Sequence, residues 1–218
     1  MGMGGTSEKD PLRNGPPMMT PEPPTHQPPV ISSTFVVMFY GGMSVLAWVL
    51  GSFADLDLIL YGEAIPIWIA VALGTLVGGG VVGLSRSLEE RFAWAQRLSR
   101  EFQKLLGDLS DTDIAILAVA SSVGEELLFR GFLQQALEVH LFSGPYGYAW
   151  AIFLSGLLFG LIHVGGSRVY LPWTVMAIVM GWVLGYLFWA TGHIAAPVAT
   201  HFVVNFINLR RMMAERRG

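Results

Sequence analysis

Apolar residues form six long runs along the chain, and each run is close to the length that crosses a lipid bilayer. The runs cover roughly residues 31–53, 65–84, 114–137, 147–166, 170–190 and 193–209. A transmembrane α-helix needs about 20 predominantly apolar residues. The pattern therefore predicts an all-α membrane protein with about six transmembrane helices, the last two joined by a very short turn around Thr191 and Gly192.

The polar stretch between the second and third runs, residues 85–113, keeps a helical period. Its apolar members recur every three or four residues: Leu88, Phe92, Ala95, Leu98, Phe102 and Leu105. The other faces of this stretch carry basic side chains: Arg91, Arg97, Arg100 and Lys104. This spacing predicts an amphipathic helix that lies on the cytoplasmic surface of the membrane. A soluble hairpin arm is the alternative interpretation of the same residues.

The first 29 residues differ from the rest of the chain, because they are polar and rich in proline. They hold eight of the 12 prolines, namely Pro11, Pro16, Pro17, Pro21, Pro23, Pro24, Pro28 and Pro29. Proline breaks helices, and a segment with so few apolar residues cannot form a core. We expect residues 1–29 to be a disordered cytoplasmic tail. The first apolar run begins too late and is too long for a cleavable signal peptide.

Composition agrees with a membrane protein and excludes several other classes. Hydrophobic residues make up 53% of the chain, charged residues 13%, and the mean hydropathy is +0.53. A soluble domain has about 25% charged residues. The net charge of -3 indicates no nucleic-acid partner. The absence of cysteine excludes disulfides, cysteine metal sites and thiol catalysis.

The basic residues predict the orientation of the chain in the membrane. Of the 13 Lys and Arg residues, only Arg130 lies inside an apolar run. With six spans, all the others fall on one side, and the positive-inside rule makes that side the cytoplasm. Both termini are then cytoplasmic. This distribution of charge is typical of proteins of the bacterial inner membrane. The predicted organisation is a tail (1–29), two helices (30–84), the amphipathic helix (85–113), a four-helix core (114–209) and a basic tail (210–218).

Glycines four residues apart occur in several of the apolar runs. The pairs are Gly74 and Gly78, Gly79 and Gly83, Gly156 and Gly160, and Gly181 and Gly185. Small residues at this spacing allow membrane helices to approach closely. We therefore predict that these positions lie at helix–helix contacts.

A few ionisable residues lie within the apolar runs, where such groups indicate function. They are Glu125, Glu126, Arg130, His163 and His201, accompanied by the neutral Asn205. Glu126 and Arg130 are four residues apart on a helix and can pair, whereas Glu125 points about 100° away. A base, two imidazoles and an amide suit activation of water and stabilisation of an oxyanion. A structural salt bridge or an interhelical polar clamp is the alternative.

These residues resemble the signature of the CAAX-protease and bacteriocin-processing family, also called CPBP or Abi. Its motifs Glu-Glu-x-x-x-Arg, Phe-x-x-x-His and His-x-x-x-Asn occur here in order, over residues 114–209. The three matches are Glu125 and Glu126 with Arg130, Phe159 with His163, and His201 with Asn205.

The resemblance implies an intramembrane endopeptidase. Glu125 and His163 would activate the water, and His201 and Asn205 would form the oxyanion hole. Glu126, Arg130 and Phe159 would have structural or orienting roles. A mechanism without metal or another cofactor is the one the resemblance favours, although Glu125, His163 and His201 would also make a three-ligand zinc site with one open position.

The expected substrate is a membrane-anchored protein or peptide that is cleaved for C-terminal processing or sorting. Two rival functions use the same residues differently. The first is a catalytically idle membrane scaffold or immunity-type protein, in which the polar residues only clamp helices together. The second is a small transporter or proton relay, against which the sequence shows no internal repeat.

Overall fold

The structure of the protein, a computed structural model, describes residues 1–2 and 32–217. Within these residues the chain is all-helical, as predicted, and contains no β-strand. The predicted proline-rich tail, residues 1–29, lies outside the described residues apart from its first two.

Helices occur at all six apolar runs. The α-helices are α1 (Ser33–Phe53), α2 (Ile67–Arg91), α3 (Ala93–Leu106), α4 (Asp111–Glu126), α5 (Gln135–His140), α6 (Gly147–Leu161), α7 (Leu171–Thr191) and α8 (Ala195–Arg217). A π-helix, Leu127–Gln134, joins α4 to α5 without a break, and a 3₁₀ turn, Arg168–Tyr170, leads into α7.

Several helices present large apolar side chains on their outer surface. Three are long and apolar enough to cross a membrane by length and composition: Ser33–Phe53, Ile67–Arg91 and Arg168–Thr191. Met38, Trp68 and Leu76 on the first two are at least 70% exposed. Soluble proteins rarely present such continuous apolar surface to water. These helices therefore indicate an integral membrane protein.

The polar stretch 85–113 does not form the single helix that was predicted. Its first residues belong to α2, which continues to Arg91 and is supported by an ion pair between Arg86 and Glu90 one turn apart. Phe92 has extended backbone angles and ends α2. The amphipathic helix is therefore shorter than predicted and corresponds to α3.

The apolar face of α3 packs against the protein itself. The Phe102 ring contacts the rings of Tyr170 and Trp173 edge-on, with centroids 5.5 and 4.9 Å away. Leu98 and Leu106 are buried on the same helix. The face that the sequence predicted to lie on the membrane surface thus covers the start of α7.

Helices α6 and α7 approach closely through glycine, as predicted. A Cβ atom on Gly156 would lie 2.3 Å from Cδ1 of Trp182, and one on Gly181 would lie 2.7 Å from the Gly156 carbonyl oxygen. Helices α2 and α8 meet in the same way, because a Cβ on Gly74 would lie 2.2 Å from the carbonyl oxygen of Ala196.

The prediction was wrong for Gly79 and Gly83. A Cβ atom on either residue would meet nothing within 4 Å in the described part of the chain. Both residues lie on α2, whose contacts with α8 use the face of Gly74 and Gly78 instead. Spacing alone could not distinguish the two faces, because both carry glycines four residues apart.

The loop between α1 and α2 is hydrogen-bonded to the short turn between α7 and α8. The amide of Tyr61 donates to the carbonyl of Gly192 at 3.0 Å, and the amide of Ile194 donates to the carbonyl of Ile59 at 2.9 Å. Gly192 caps α7 in a left-handed conformation, φ 64°, which favours glycine. These hydrogen bonds fix the start of α8, the helix that carries His201 and Asn205.

Candidate active site

The two glutamates lie where α4 changes into the π-helix. Helix α4 begins at a capping box formed by Ser110 and Asp113, and it ends at Glu126. Arg130 follows within the π-helix. π-Helical turns inside α-helices are rare and frequently occur at functional sites. The wider turn here holds the Glu-Glu-x-x-x-Arg motif inside the bundle.

Glu126 and Arg130 form an ion pair that is closed off from solvent. Nη1 of Arg130 donates to Oε1 of Glu126 at 3.2 Å, and both side chains are 0% exposed. Nη2 of Arg130 donates to the carbonyl of Gly181 on α7 at 3.1 Å. The pair therefore joins the π-helix to α7 at the position where glycine lets α6 and α7 meet.

His201 on α8 binds the same carboxylate oxygen. Its Nδ1 lies 2.8 Å from Oε1 of Glu126, and the ring is buried. Because the carboxylate accepts, Nδ1 carries the proton and Nε2 is left facing the other way. Glu126 thus orients His201 as well as pairing with Arg130, a contact that the helix spacing did not predict.

His163 lies on a turn just beyond α6. The apolar run was predicted to stay helical to residue 166, but α6 ends at Leu161. Nδ1 of His163 is 2.6 Å from the carbonyl oxygen of Phe159, and the hydroxyl of Thr174 donates to the His163 carbonyl at 3.1 Å. A carbonyl only accepts, so Nδ1 is again the protonated nitrogen and Nε2 points away from the backbone.

The free nitrogens of both histidines converge on Glu125. Oε2 of Glu125 lies 3.8 Å from Nε2 of His163 and 3.9 Å from Nε2 of His201. The carboxylate is 6% exposed, and its Oε2 atom is buried without a hydrogen-bond partner among the described residues. Three groups that the sequence placed on separate segments therefore meet at one oxygen atom.

While both imidazoles are neutral, Oε2 of Glu125 and the two Nε2 atoms cannot form hydrogen bonds with one another. With both Nδ1 atoms protonated, a neutral imidazole offers only a lone pair at Nε2, and an ionised carboxylate has no proton to donate. The separations are also longer than a direct hydrogen bond, which suggests an intervening group. A water molecule has two protons to donate and would supply what this arrangement lacks.

Phe159 forms the apolar wall of the site. Its ring centroid lies 4.3 Å from Cζ of Arg130 and 4.7 Å from the centroid of the His163 ring. It also meets the rings of Phe129 and His201 edge-on, at 5.2 and 6.0 Å. A guanidinium over an aromatic face is favourable, and more so when it is desolvated. One ring therefore packs against the Arg130 guanidinium and both histidines.

Asn205 lies one turn beyond His201 on α8. Its Nδ2 donates to Oγ of Ser121 at 3.0 Å. Ser121 is on α4, one turn before Glu125. One of the two N–H groups of the amide is used by this bond.

The donor set has the ligand types of a zinc site but a wider spacing. Glu125, His163 and His201 are suitable ligand types, but a tetrahedral zinc with ligands at about 2.0–2.1 Å holds its ligand atoms about 3.3 Å apart. The observed separations of 3.8 and 3.9 Å are wider. No group of three His, Asp or Glu side chains in residues 1–2 and 32–217 is arranged to hold a metal ion. The residues fit zinc in type and not in spacing.

Two neighbours of the site could not be found from sequence motifs. Trp173 packs edge-on against His163, with centroids 5.0 Å apart, and Ser121 binds Asn205. The tryptophan follows a 3₁₀ turn, and the serine stands among small residues of α4, so neither carries a spacing signal. Trp173 also contacts Phe102, so that α3 is connected to the site through one aromatic ring.

The comparison with known families agrees with the motifs. Residues 112–207 match the family model described as "Type II CAAX prenyl endopeptidase Rce1-like". The predicted resemblance to the CAAX-protease family is thereby confirmed, and the family that this segment matches is a family of proteases. No curated protein and no solved structure matches the chain significantly.

Replacing Arg130 by alanine should destabilise the protein strongly. The change leaves Glu126 buried without its counter-charge, which typically costs about 3–5 kcal/mol of unfolding free energy. Thermal unfolding in detergent would measure the loss.

Arg86→Ala is the matched control, because Arg86 and Glu90 have the same spacing but are 69% and 62% exposed. An exposed pair contributes at most about 1 kcal/mol. Equal melting temperatures for Arg130→Ala and wild type would contradict the importance of the buried pair.

Proposed function

We propose that the protein is an intramembrane endopeptidase in which Glu125 activates a water molecule. The observation that carries the proposal is the convergence of Glu125 Oε2 with both Nε2 atoms, at 3.8 and 3.9 Å. A water at this point would donate one hydrogen bond to Glu125 and one to Nε2 of His163, and a lone pair of its oxygen would face a substrate carbonyl carbon. The match to a protease family over residues 112–207 supports hydrolysis of a peptide bond.

In the proposed reaction, Glu125 takes a proton from the water while the water oxygen attacks the scissile carbonyl carbon. His163 holds the water through its Nε2 atom. As the C–N bond breaks, Glu125 returns the proton to the departing nitrogen, so that a carboxyl group and an amine are released. A buried carboxylate beside the neutral imidazole of His163 is suited to this transfer, because proton transfer requires a positioned base within hydrogen-bond reach.

The oxyanion would be stabilised by His201 and Asn205. A proton on Nε2 of His201 makes the ring a donor, and the carboxylate of Glu126 at Nδ1 offsets the positive charge. The second N–H of Asn205 supplies another donor. The charges support this assignment: Glu125, Glu126 and Arg130 together carry one net negative charge, which a proton on His201 neutralises inside the bundle.

The substrate of this proposal is a membrane-anchored protein or peptide, cleaved for C-terminal processing or sorting. Outward-facing apolar side chains on α1 and α2 keep the protein in the bilayer. The site residues therefore meet chains that are themselves held in or at the membrane.

Glu125→Gln should abolish cleavage while leaving the fold intact. The amide keeps the shape of the side chain but cannot accept the proton, and general-base catalysis typically contributes about 10²–10⁴-fold. Accumulation of uncleaved substrate in membranes, at matched expression, is the measurement. His163→Ala and His201→Ala should resemble Glu125→Gln, and the Glu125/His163 double variant should be scarcely worse than either single variant.

Glu138→Gln is the control, because Glu138 binds the hydroxyl of Tyr61 away from the site. It should cleave normally. If Glu125→Gln itself cleaves at the wild-type rate, the protein is not a glutamate-dependent protease, and a scaffold that uses the same polar residues takes its place.

We further propose that the reaction needs no metal, since the ligand atoms are too widely spaced for tetrahedral zinc. Purified, active protein should keep cleaving after treatment with a chelator, and elemental analysis should find well under one zinc per chain. Zinc near one equivalent, with activity lost on stripping and restored by zinc alone, would overturn this assignment.

We also propose six membrane spans with both termini in the cytoplasm. Contacts between the C-terminal part of α8 and the polar stretch support this, because they bring basic residues of both segments to one end of the bundle. Arg211 pairs with Glu89, and Arg217 donates to Asp108 at 3.0 Å. Reporter fusions at residues 110 and 215 should be cytoplasmic, and fusions at 58 and 143 should be on the opposite side. A non-cytoplasmic signal at 110 or 215 would exclude six spans.

A further inference from the structure

Helices α4 and α8 pack against each other at the candidate active site, and their polar side chains meet at two levels one turn apart. Glu125 approaches His201, with 3.9 Å between Oε2 and Nε2. One turn earlier on α4 and one turn later on α8, Oγ of Ser121 lies 3.0 Å from Nδ2 of Asn205. Helical residues four apart share a face. Ser121 therefore lies on the face of α4 that carries Glu125, although it belongs to none of the three motifs.

The Ser121 hydroxyl is buried and is directed as an acceptor towards α8. The residue is 2% exposed, and its Oγ donates to the carbonyl of Ala118 at 3.4 Å. A hydroxyl has one proton and two lone pairs. Because the proton is directed at the Ala118 carbonyl, the oxygen presents a lone pair to the amide of Asn205.

The amide of Asn205 needs such a partner in order to keep one orientation. The terminal torsion of an asparagine side chain is broad and roughly two-fold, so the backbone alone does not determine where the N–H groups point. An amide that is turned over presents its carbonyl oxygen where a donor is required. We propose that Ser121 is a positioning residue, which holds the Asn205 amide with its second N–H available to the oxyanion.

This inference rests on the proposed function and adds a residue to the oxyanion hole. The serine acts through Asn205 and does not touch the scissile bond. A donor to the oxyanion acts on the transition state, so its misplacement should slow the chemical step and leave substrate binding unchanged. Such a loss lowers kcat and kcat/KM together, with little change in KM.

Ser121→Ala is the test, because it removes the hydroxyl and keeps a small side chain on the helix. We expect kcat to fall by about 3- to 10-fold, the loss that corresponds to one neutral hydrogen bond, while KM stays within about twofold. The probe is a quenched fluorescent peptide that ends in a prenylated CAAX sequence, the substrate named in the description of the matched family. Purified protein in lipid vesicles would give both constants. A wild-type kcat would overturn the role of Ser121.

Ser122→Ala is the matched control, because it makes the same chemical change at the next residue. Ser122 is 1% exposed, and its Oγ donates to the carbonyl of Val119 at 3.0 Å. Within residues 1–2 and 32–217, no hydrogen bond joins its hydroxyl to another helix. Ser122→Ala should leave kcat and KM unchanged. An equal loss of kcat in both variants would mean that the packing of α4, and not the Ser121 hydroxyl, determines the rate.

An Asn205→Ala background tests whether Ser121 acts through the amide. Loss of an oxyanion donor typically lowers kcat by about 10²–10³-fold. Adding Ser121→Ala to Asn205→Ala should cause no further loss, because the amide that the serine positions is absent. A further loss of the same size as in the wild-type background would mean that Ser121 acts independently of Asn205.

The same four proteins give a readout that does not depend on activity. The changes in melting temperature caused by Ser121→Ala and Asn205→Ala should be non-additive, since the two side chains share a hydrogen bond. Additive changes would mean that they do not interact.

The two proposals fail in different ways. If Glu125→Gln is inactive but Ser121→Ala retains a wild-type kcat, the role of Ser121 is overturned and the protease proposal stands. If Glu125→Gln is fully active, the protease proposal itself fails.

Discussion

The burial of charge inside an apolar helical bundle is the constraint on which the rest of the structure depends. Glu126 and Arg130 are fully enclosed, and neither would be tolerated there alone. Their contacts extend to α7 through the Gly181 carbonyl and to α8 through His201. One ion pair thereby fixes the relative positions of three segments, and those segments carry most of the polar groups of the site.

The fold and the site differ in how much of them the sequence could predict. Hydropathy and period located every helix, because each apolar run is long and bounded by polar or helix-breaking residues. The end of α6 was misplaced, since Ile162 to Gly166 are as compatible with a turn as with a helix. This difference matters for His163. In a continuing helix the amide of His163 would bind the Phe159 carbonyl, whereas here that amide binds the Gly160 carbonyl and the Phe159 carbonyl accepts from the ring.

Contacts between distant segments could not be predicted, because spacing along a helix only identifies neighbours on that helix. The pair Glu126 and Arg130 is local and was expected from its four-residue separation. The bond from His201 to Glu126 joins residues 75 positions apart, and the approach of Tyr40 to Gly124 joins α1 to α4. The glycines show the same limit, since Gly74 meets α8 while Gly79 on the same helix meets nothing within residues 1–2 and 32–217.

Both histidines direct Nε2 towards Glu125, but different groups hold the two rings in place. His201 is aimed by a side chain, whereas His163 is aimed by main-chain atoms, with its ring on the Phe159 carbonyl and its own carbonyl bound by Thr174. The orientation of the His163 ring thus depends on the way in which α6 ends. Of the three residues between Phe159 and His163, Leu161 and Ile162 are exposed and need only preserve that last turn. Gly160 cannot vary in the same way, because a Cβ atom on it would lie 2.1 Å from Cγ1 of Ile178 on α7.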